Sequence, residues 1–381
     1  MLELDCGLDF DAARDAGFFS ALPPLPAVVR IEPREPGAEP FLIRTADLRR
    51  RLERLLGPVD PSTKRLNLRE FARAVRYRLT ASRFEQSFAY YQHAKQLFPR
   101  RYKELARLRP PALLKVNLRN AYPRCYVTRR IRVDESSGAP AGGVYYGPFA
   151  SRRAAEAFAE KFLDLFKIRR CQIKIRCDPL FPGCIYSEMK MCLAPCFAGC
   201  SSDEYAAEVQ RVVSFLGTGG GSLTAEIEKE REAASQALDF ERAAALHRRL
   251  DKVADVLRGL PEIARRIEDL DAVILQRAAE EHTIVVFALR AARIAEPFFL
   301  RFGDLASEPR SAEEILRAQL DASVESSPAE RPDLGDHLAL VARWYYSKPR
   351  DGEIFYRRRD WPYRRILRAC SRLLAPRDAK V

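Results

Sequence analysis

The sequence predicts an α+β, multidomain protein. Three observations predict it. The chain has 381 residues, room for more than one domain. Apolar residues recur with period two in some stretches and with helical spacing in others. Six of the nine cysteines crowd between Cys171 and Cys200, a stretch with neither periodicity.

The elements follow in order. Residues 1–21 read as an acidic extension, closing in Leu22-Pro23-Pro24-Leu25-Pro26, whose prolines punctuate rather than build. Residues 22–110 read as a small α/β domain. In it, Ala27–Ile31 and Phe41–Ile43 suit a hairpin, and Leu48, Leu52, Leu55 and Leu56 suit a helix. Leu68–Leu79 and Arg83–Phe98 also read as helices. Residues 111–216 form a cysteine-cluster domain, with extended segments at Leu113–Val116, Cys125–Arg130 and Val144–Tyr146. Helices are expected there at Arg152–Phe166 and Asp203–Leu216. Gly217–Gly221 reads as a flexible break. Residues 222–258 read as a helical hairpin turning near Asp239-Phe240. Residues 262–381 read as a partial mixed α/β region: strands at Leu270–Leu275, Thr283–Leu289 and Phe298–Phe302, a helix at Ala312–Leu320, a Pro/Ser-rich linker, and a basic tail with aromatics at Trp344-Tyr345-Tyr346 and Trp361.

Hydrophobic residues make up 47% of the chain, enough for packed cores. The start of the chain lacks the basic and apolar regions of a secretory signal, and no apolar run suits a membrane span. A cytoplasmic protein is therefore expected, with no membrane partner. The net charge of +13 is unevenly spread. Residues 41–110 carry 18 Lys/Arg against 6 Asp/Glu, residues 111–176 carry 14 against 5, and residues 337–381 carry 12 against 4. Basic blocks on an otherwise acidic chain suit a polyanion, and the preference for Arg over Lys suits phosphate.

Cys171, Cys184, Cys192 and Cys196 are the candidate metal ligands, with Cys177 and Cys200 as spares. Four soft thiolates suit tetrahedral zinc or an iron–sulfur cluster, and the spacing does not choose between them. Pro182-Gly183 and Ala194-Pro195 supply turns that bring ligands together. A metal would supply the folding energy that hydrophobic burial cannot.

Several ordered motifs carry a resemblance. They are Tyr122-Pro123-Arg124-Cys125-Tyr126-Val127-Thr128-Arg129-Arg130, Val144-Tyr145-Tyr146-Gly147-Pro148-Phe149, Leu165-Phe166-Lys167-Ile168-Arg169-Arg170-Cys171, Cys192-Leu193-Ala194-Pro195-Cys196, and Leu238-Asp239-Phe240-Glu241-Arg242-Ala243-Ala244-Ala245-Leu246-His247. Together they resemble the bacterial excinuclease subunit UvrC, in that family's order, and the last resembles its UVR motif. The resemblance implies DNA repair by nucleotide excision, a [4Fe–4S] cluster on the four cysteines, with zinc the alternative, and a UvrB-like partner on the 223–257 hairpin. Leu238, Phe240, Ala244 and Leu246 are the candidate partner-binding residues. Ile227, Ala234, Leu238, Phe240, Ala244, Leu246 and Leu250 are expected to line the seam between the two helices.

The resemblance also implies an N-terminal GIY-YIG nuclease, which residues 22–110 keep only in degenerate form. The tyrosine positions hold Val29 and Leu42, the arginine is best matched by Arg49, and the metal glutamate position holds Tyr90. Apolar side chains cannot take a proton, and a phenol is a poor magnesium ligand. No incision activity and no magnesium are expected. A nuclease with a shifted site at Glu85, Tyr90 and Arg49 is one alternative, and a redox-responsive DNA-binding regulator is another. No carboxylate constellation suits the family's second nuclease; the late acids Asp351, Glu353 and Asp360 sit among arginines, and Asp378 follows. The candidate DNA contacts are Arg44, Arg49, Arg50, Arg51, Arg129, Arg130, Arg357, Arg358 and Arg359, with Trp361, Tyr363, Arg364 and Arg365 suited either to base stacking or to a capped helix.

Overall fold

The computed structural model describes all residues except 14, 16, 59–64, 135, 304–309, 323–333 and 376–381. The chain is α+β and divides into two compact units. The first comprises residues 1–109, 271–326 and 339–381; the second comprises residues 110–270 and 327–338. Much of the expected Pro/Ser-rich linker, and Asp378, lie outside the described residues.

The first unit opens with strand β1 (Cys6–Asp9), β2 (Ala27–Pro33), β3 (Phe41–Thr45), helix α1 (Leu48–Leu56), β4 (Ala72–Leu79), α2 (Arg83–Leu97) and α3 (Tyr102–Leu105). The strands form an antiparallel sheet in the order β1-β4-β2-β3. Alternation sends Val29, Ile31, Ile43, Val75 and Tyr77 to one face, where Leu48, Leu52, Leu55 and Leu56 of α1 cover them. The opposite face meets α2, whose Gln86 donates to the carbonyls of Ala27 and Thr45.

Two expectations need correction here. Leu68–Leu79 is not a helix: Ala72–Leu79 is a strand between two others. Leu68, Ala72, Val75 and Leu79 do fall at helical spacing. Pairing on both edges decides the matter, because β preference is set by neighbours more than by the local chain. The acidic extension, in turn, contains a strand. Cys6 pairs with Tyr77, and Phe10 and Leu22 are buried in the same core.

The second sheet of this unit contains β9 (Ala272–Arg277), β10 (Thr283–Arg290), β11 (Arg293–Ile294), β12 (Phe298–Arg301) and β13 (Glu353–Tyr356). One face is covered by Leu316 and Leu320 of α9 (Ala312–Ala322) and by Ile366 and Ala369 of α11 (Tyr363–Leu374). From the other face, Phe287 meets Phe84 and Phe88 of α2. The strand β13 interrupts the tail between α10 (Leu334–Tyr345) and α11. Trp361 lies in this core, so it packs rather than offering a stacking surface.

The second unit begins with β5 (Ala112–Val116), β6 (Cys125–Thr128), β7 (Val144–Phe149) and α4 (Arg152–Leu163). With the two-residue β8 (Arg265–Arg266) the strands form the order β6-β5-β7-β8. An irregular cysteine-bearing stretch follows, holding only the short α5 (Ile185–Glu188) and a tight turn at Pro195–Phe197. Then come α6 (Ser202–Gly217), α7 (Gly221–Gln236) and α8 (Phe240–Arg258). The glycine segment is a tight turn, not a loose break. Gly220 has φ +93°, and a Cβ there would stand 2.6 Å from the Leu257 side chain. One core joins the sheet, α4, α6 and the α7–α8 hairpin. Among the described residues no helix is long and apolar enough to cross a membrane.

Candidate functional site

The cysteine centre is built by local hydrogen bonds rather than by regular structure. Cys184 caps α5, its N–H donating to Ser187 Oγ at 3.0 Å. Leu193 N–H donates to Lys167 O at 3.0 Å and ties the Cys192–Cys196 turn to the end of the α4 segment. Ala194 adopts the left-handed backbone, φ 57° and ψ 52°, and its N–H donates to Cys192 Sγ at 3.3 Å. Cys196 is buried, and its carbonyl accepts from Asp178 N–H.

The electrostatics tie the four thiols together. Burial pushes the Cys192 thiol up to about 11; the Ala194 N–H opposes this, while Cys171, Cys196 and Cys184 push it further up. Cys196 is raised by burial first, then by Cys184, with a smaller push from Cys171. Four sulfurs that feel one another in this way share one neighbourhood. Cys200 is raised by burial and then by Glu204, Cys177 and Cys196, so the spares lie nearby. By contrast Cys125 is pushed up to about 12 by burial alone. Among the described residues no three His, Cys, Asp or Glu side chains close on a point that one ion would fill.

A buried arginine underlies the centre. Arg169 is 5% exposed. Its Nε donates to Tyr122 O and its Nη1 to Ile173 O, both at 2.8 Å, with Nη1 3.9 Å from Cys171 Sγ. Its backbone N–H donates to Tyr205 Oη, which donates to Pro123 O at 2.8 Å. The donor set is of the soft sulfur kind that thiolate-bound groups use, without closing on one point among the described residues.

A stretch running from β5 through β6 into the β6–β7 connection concentrates positive charge. Residues 115–132 hold six Lys/Arg and no Asp or Glu. Leu114 and Val116 point into the core, so Lys115 points to the other face. There its Nζ donates to Tyr145 Oη at 2.7 Å. Tyr145 Oη also accepts from Arg132 N–H at 2.9 Å, folding the connection over the sheet. Gly143, at φ +141°, allows this approach: a Cβ would lie 1.9 Å from Val116 O. Among the described residues Arg119, Arg124, Arg129, Arg130 and Arg132 make no ion pair, and Arg124 stacks 4.8 Å from the Tyr126 ring centre. Arg119 and Arg132 flank a shallow notch of about 570 Å³ that also includes Asp134 and Ser136. Sequence reading named Arg129 and Arg130 here but missed Arg119, Arg124 and Arg132. The absence of acids over 115–132 was the signal that could have found them.

The remaining predicted contacts fare differently. Arg49 Nε donates to Leu22 O at 2.7 Å and its Nη2 to Ser20 O, so it fastens the N-terminal segment. Arg50 is exposed and Arg51 half-buried. Arg357 stands 3.8 Å from Asp271, while Arg358 and Arg359 are exposed and form no ion pair among the described residues.

The residues of the degenerate nuclease site do not converge. Val29 is buried in the core under α1. Leu42 is buried and alternates with Ile43, so it faces α2, which carries Tyr90. Arg49 belongs to α1. The shifted site of Glu85, Tyr90 and Arg49 is divided by the sheet. Glu85, buried at the start of α2, pairs at 3.5 Å with Arg78 instead.

The α7–α8 hairpin corrects the seam and partner assignments. Ile227, Ala234 and Leu246 are buried in the core, with Leu250 packed against it. Leu246 is thus an internal residue, not a docking one. Leu238 and Phe240 are 71% and 68% exposed at the tip, and Ala244 is exposed, so these three are not in the seam. Asp239 caps α8 through Arg242 N–H at 3.0 Å and fixes the tip.

Two segments of the chain match known family models. Residues 112–215 match the family model of the UvrC/Cho excinuclease middle domain, and residues 221–254 match the UvrB/uvrC motif. Curated relatives named UvrABC system protein C include one from Ruminiclostridium cellulolyticum, 26% identical over 62% of this chain and 38% of its own length. That of Desulforudis audaxviator is 29% identical over 61% and 37%. That of Nitratidesulfovibrio vulgaris is 35% identical over 39% and 21%. The chain spans about two fifths of the length of the first of these. No solved structure matches.

Proposed function

We propose that this chain, a UvrC relative by its middle domain and UVR motif, is a nucleotide excision repair protein that docks on DNA and on a UvrB-type partner without cutting the strand itself. The observation that carries the reading is the shared neighbourhood of the Cys171, Cys184, Cys192 and Cys196 thiols beside the buried Arg169, in the unit that bears the arginines 119–132, which make no ion pair among the described residues. Those four cysteines would hold a [4Fe–4S] cluster. When bound, such a cluster supplies the cross-link that an irregular 30-residue stretch lacks, and a redox-active centre.

This chain's own residues do the rest. Arg119, Arg124, Arg129, Arg130 and Arg132 present guanidinium forks to phosphates, and Tyr126 offers a ring beside them. Leu238 and Phe240 offer a small apolar tip to a partner hairpin. The division of Arg49 from Tyr90 and Glu85 by the sheet supports the absence of incision, since hydrolysis needs nucleophile, metal and charge neutralisation at one point.

The test is an anaerobic preparation assayed for duplex and single-stranded DNA binding, then for nicking of damaged DNA with magnesium. Tight, salt-sensitive binding without nicking is expected. Nicking abolished by Arg49→Ala would overturn the non-cutting part, and affinity flat in salt would overturn the DNA reading.

A further inference from the structure

A second concentration of uncompensated positive charge lies in the first unit, on the α2 side of the β1–β4 sheet. Arg44 stands at the end of β3. Its guanidinium carbon is 5.4 Å from the centre of the Tyr90 ring, and its Nη1 donates to Ser87 Oγ at 3.3 Å. Arg107 follows α3 in left-handed backbone, φ 50°. Burial raises the Tyr90 phenol above its ordinary value, and the charges of Arg44 and Arg107 pull it part of the way back. Arg343 of α10 donates Nη1 to the carbonyls of Ala106 at 3.1 Å and Arg107 at 3.4 Å. Burial, and then the charge of Arg44, disfavour its charged form.

None of the three arginines meets a carboxylate among the described residues. Several other arginines of the same unit do meet carboxylates: Arg78 with Asp5 and Glu85, Arg301 with Glu280, Arg372 with Glu353. Clustered like charges repel one another and focus a field that attracts a counter-charge. The donors gathered are guanidinium forks and two hydroxyls, and the Tyr90 hydroxyl makes no hydrogen bond among the described residues. Such forks match the oxygens of a phosphate group. A metal ion would be repelled, and an apolar ligand would leave the charges unanswered.

We infer that Arg44, Arg107 and Arg343, with the hydroxyls of Ser87 and Tyr90, form one phosphate-binding site whose ligand is a phosphodiester of a nucleic-acid backbone. The inference rests on the DNA-binding reading for its source of phosphate, and on the arginine geometry for the site itself. The position expected to carry a metal-binding carboxylate in an active nuclease instead carries Tyr90, within a cluster suited to an anion.

The test uses the full chain. Arg107→Gln removes an exposed charge that makes no side-chain bond among the described residues. Arg343→Gln removes a second charge, and Tyr90→Phe removes only a hydroxyl. One arm measures the log–log salt dependence of duplex binding. If the arginines share one phosphate, the Arg107→Gln/Arg343→Gln double variant flattens the slope by about 0.9, not by about 1.8. The other arm measures melting temperature against inorganic phosphate. Phosphate should raise it for the wild-type chain and raise it much less for the double variant, with Tyr90→Phe between them. A slope loss near 1.8 would mean separate contacts and overturn the single site. A phosphate-dependent melt with an unchanged slope would assign the site to free phosphate and overturn the backbone ligand. No phosphate effect and no slope change would overturn the inference entirely. A wild-type chain that fails to bind DNA, yet is stabilised by phosphate through these residues, would sink the DNA reading and keep the site.

Discussion

Glu85 is buried at the start of α2, and its ion pair to Arg78 is long at 3.5 Å. Burial raises its carboxyl from 4.5 to about 7, with Arg78 and the Ala81 N–H pulling the other way. The folded chain thus holds a proton that the unfolded chain has released between those two values. The stability this proton confers is complete below pH 4.5 and gone once pH has risen through about 7. The span corresponds to about 3 kcal/mol. Urea melts of the wild-type chain and Glu85→Gln, compared from pH 4.5 to 8, should diverge by that order, the wild type losing ground as pH rises. Parallel curves would show that the proton is not held. At this scale the sequence was legible where a residue type fixes a local role, as at Asp239, whose side chain caps α8. It was less legible where partners decide the role. Arg49 and Arg129 look alike in the sequence, yet one is bonded to the Leu22 carbonyl and the other makes no ion pair among the described residues.

The α7–α8 hairpin separates stability from docking within one element. Leu246 is 8% exposed inside the core and Phe240 is 68% exposed at the tip. Leu246→Ala should cost about 2–4 kcal/mol in a denaturant melt, by lost burial and the cavity left behind. Phe240→Ser should change stability by less than about 0.5 kcal/mol. It should nonetheless weaken capture of a UvrB-type hairpin by tenfold or more, as loss of an aromatic anchor does. Unchanged capture by the Phe240→Ser variant would remove the tip from the docking surface. The hairpin was readable because its helices, the break at Leu238-Asp239 and the Asp239 cap are all local signals. The strand β4 was not. Its apolar residues satisfy helical spacing, and only pairing with β1 and β2, contributed by distant sequence, makes them a strand. The strand β13 was missed for the same reason: four residues, paired with β9 some 80 positions earlier.

For the whole molecule, the charge distribution was legible as blocks, and the structure resolves the blocks into paired and unpaired arginines. The β6–β7 connection should therefore carry a measurable share of the salt dependence. Replacing Arg129, Arg130 and Arg132 together by Gln should flatten the log–log slope of duplex binding by about 2 to 3, if each meets its own phosphate. A slope unchanged within 0.5, taken here as roughly half of one phosphate contact, would place the nucleic acid elsewhere. The most direct measurement concerns the thiols. An anaerobic preparation should contain about four irons with matching acid-labile sulfide per chain. That content should collapse in Cys192→Ser and persist in Cys125→Ala, whose thiol stands apart in the core. A chain that carries no iron, and whose melting is indifferent to Cys192→Ser, would contradict the account.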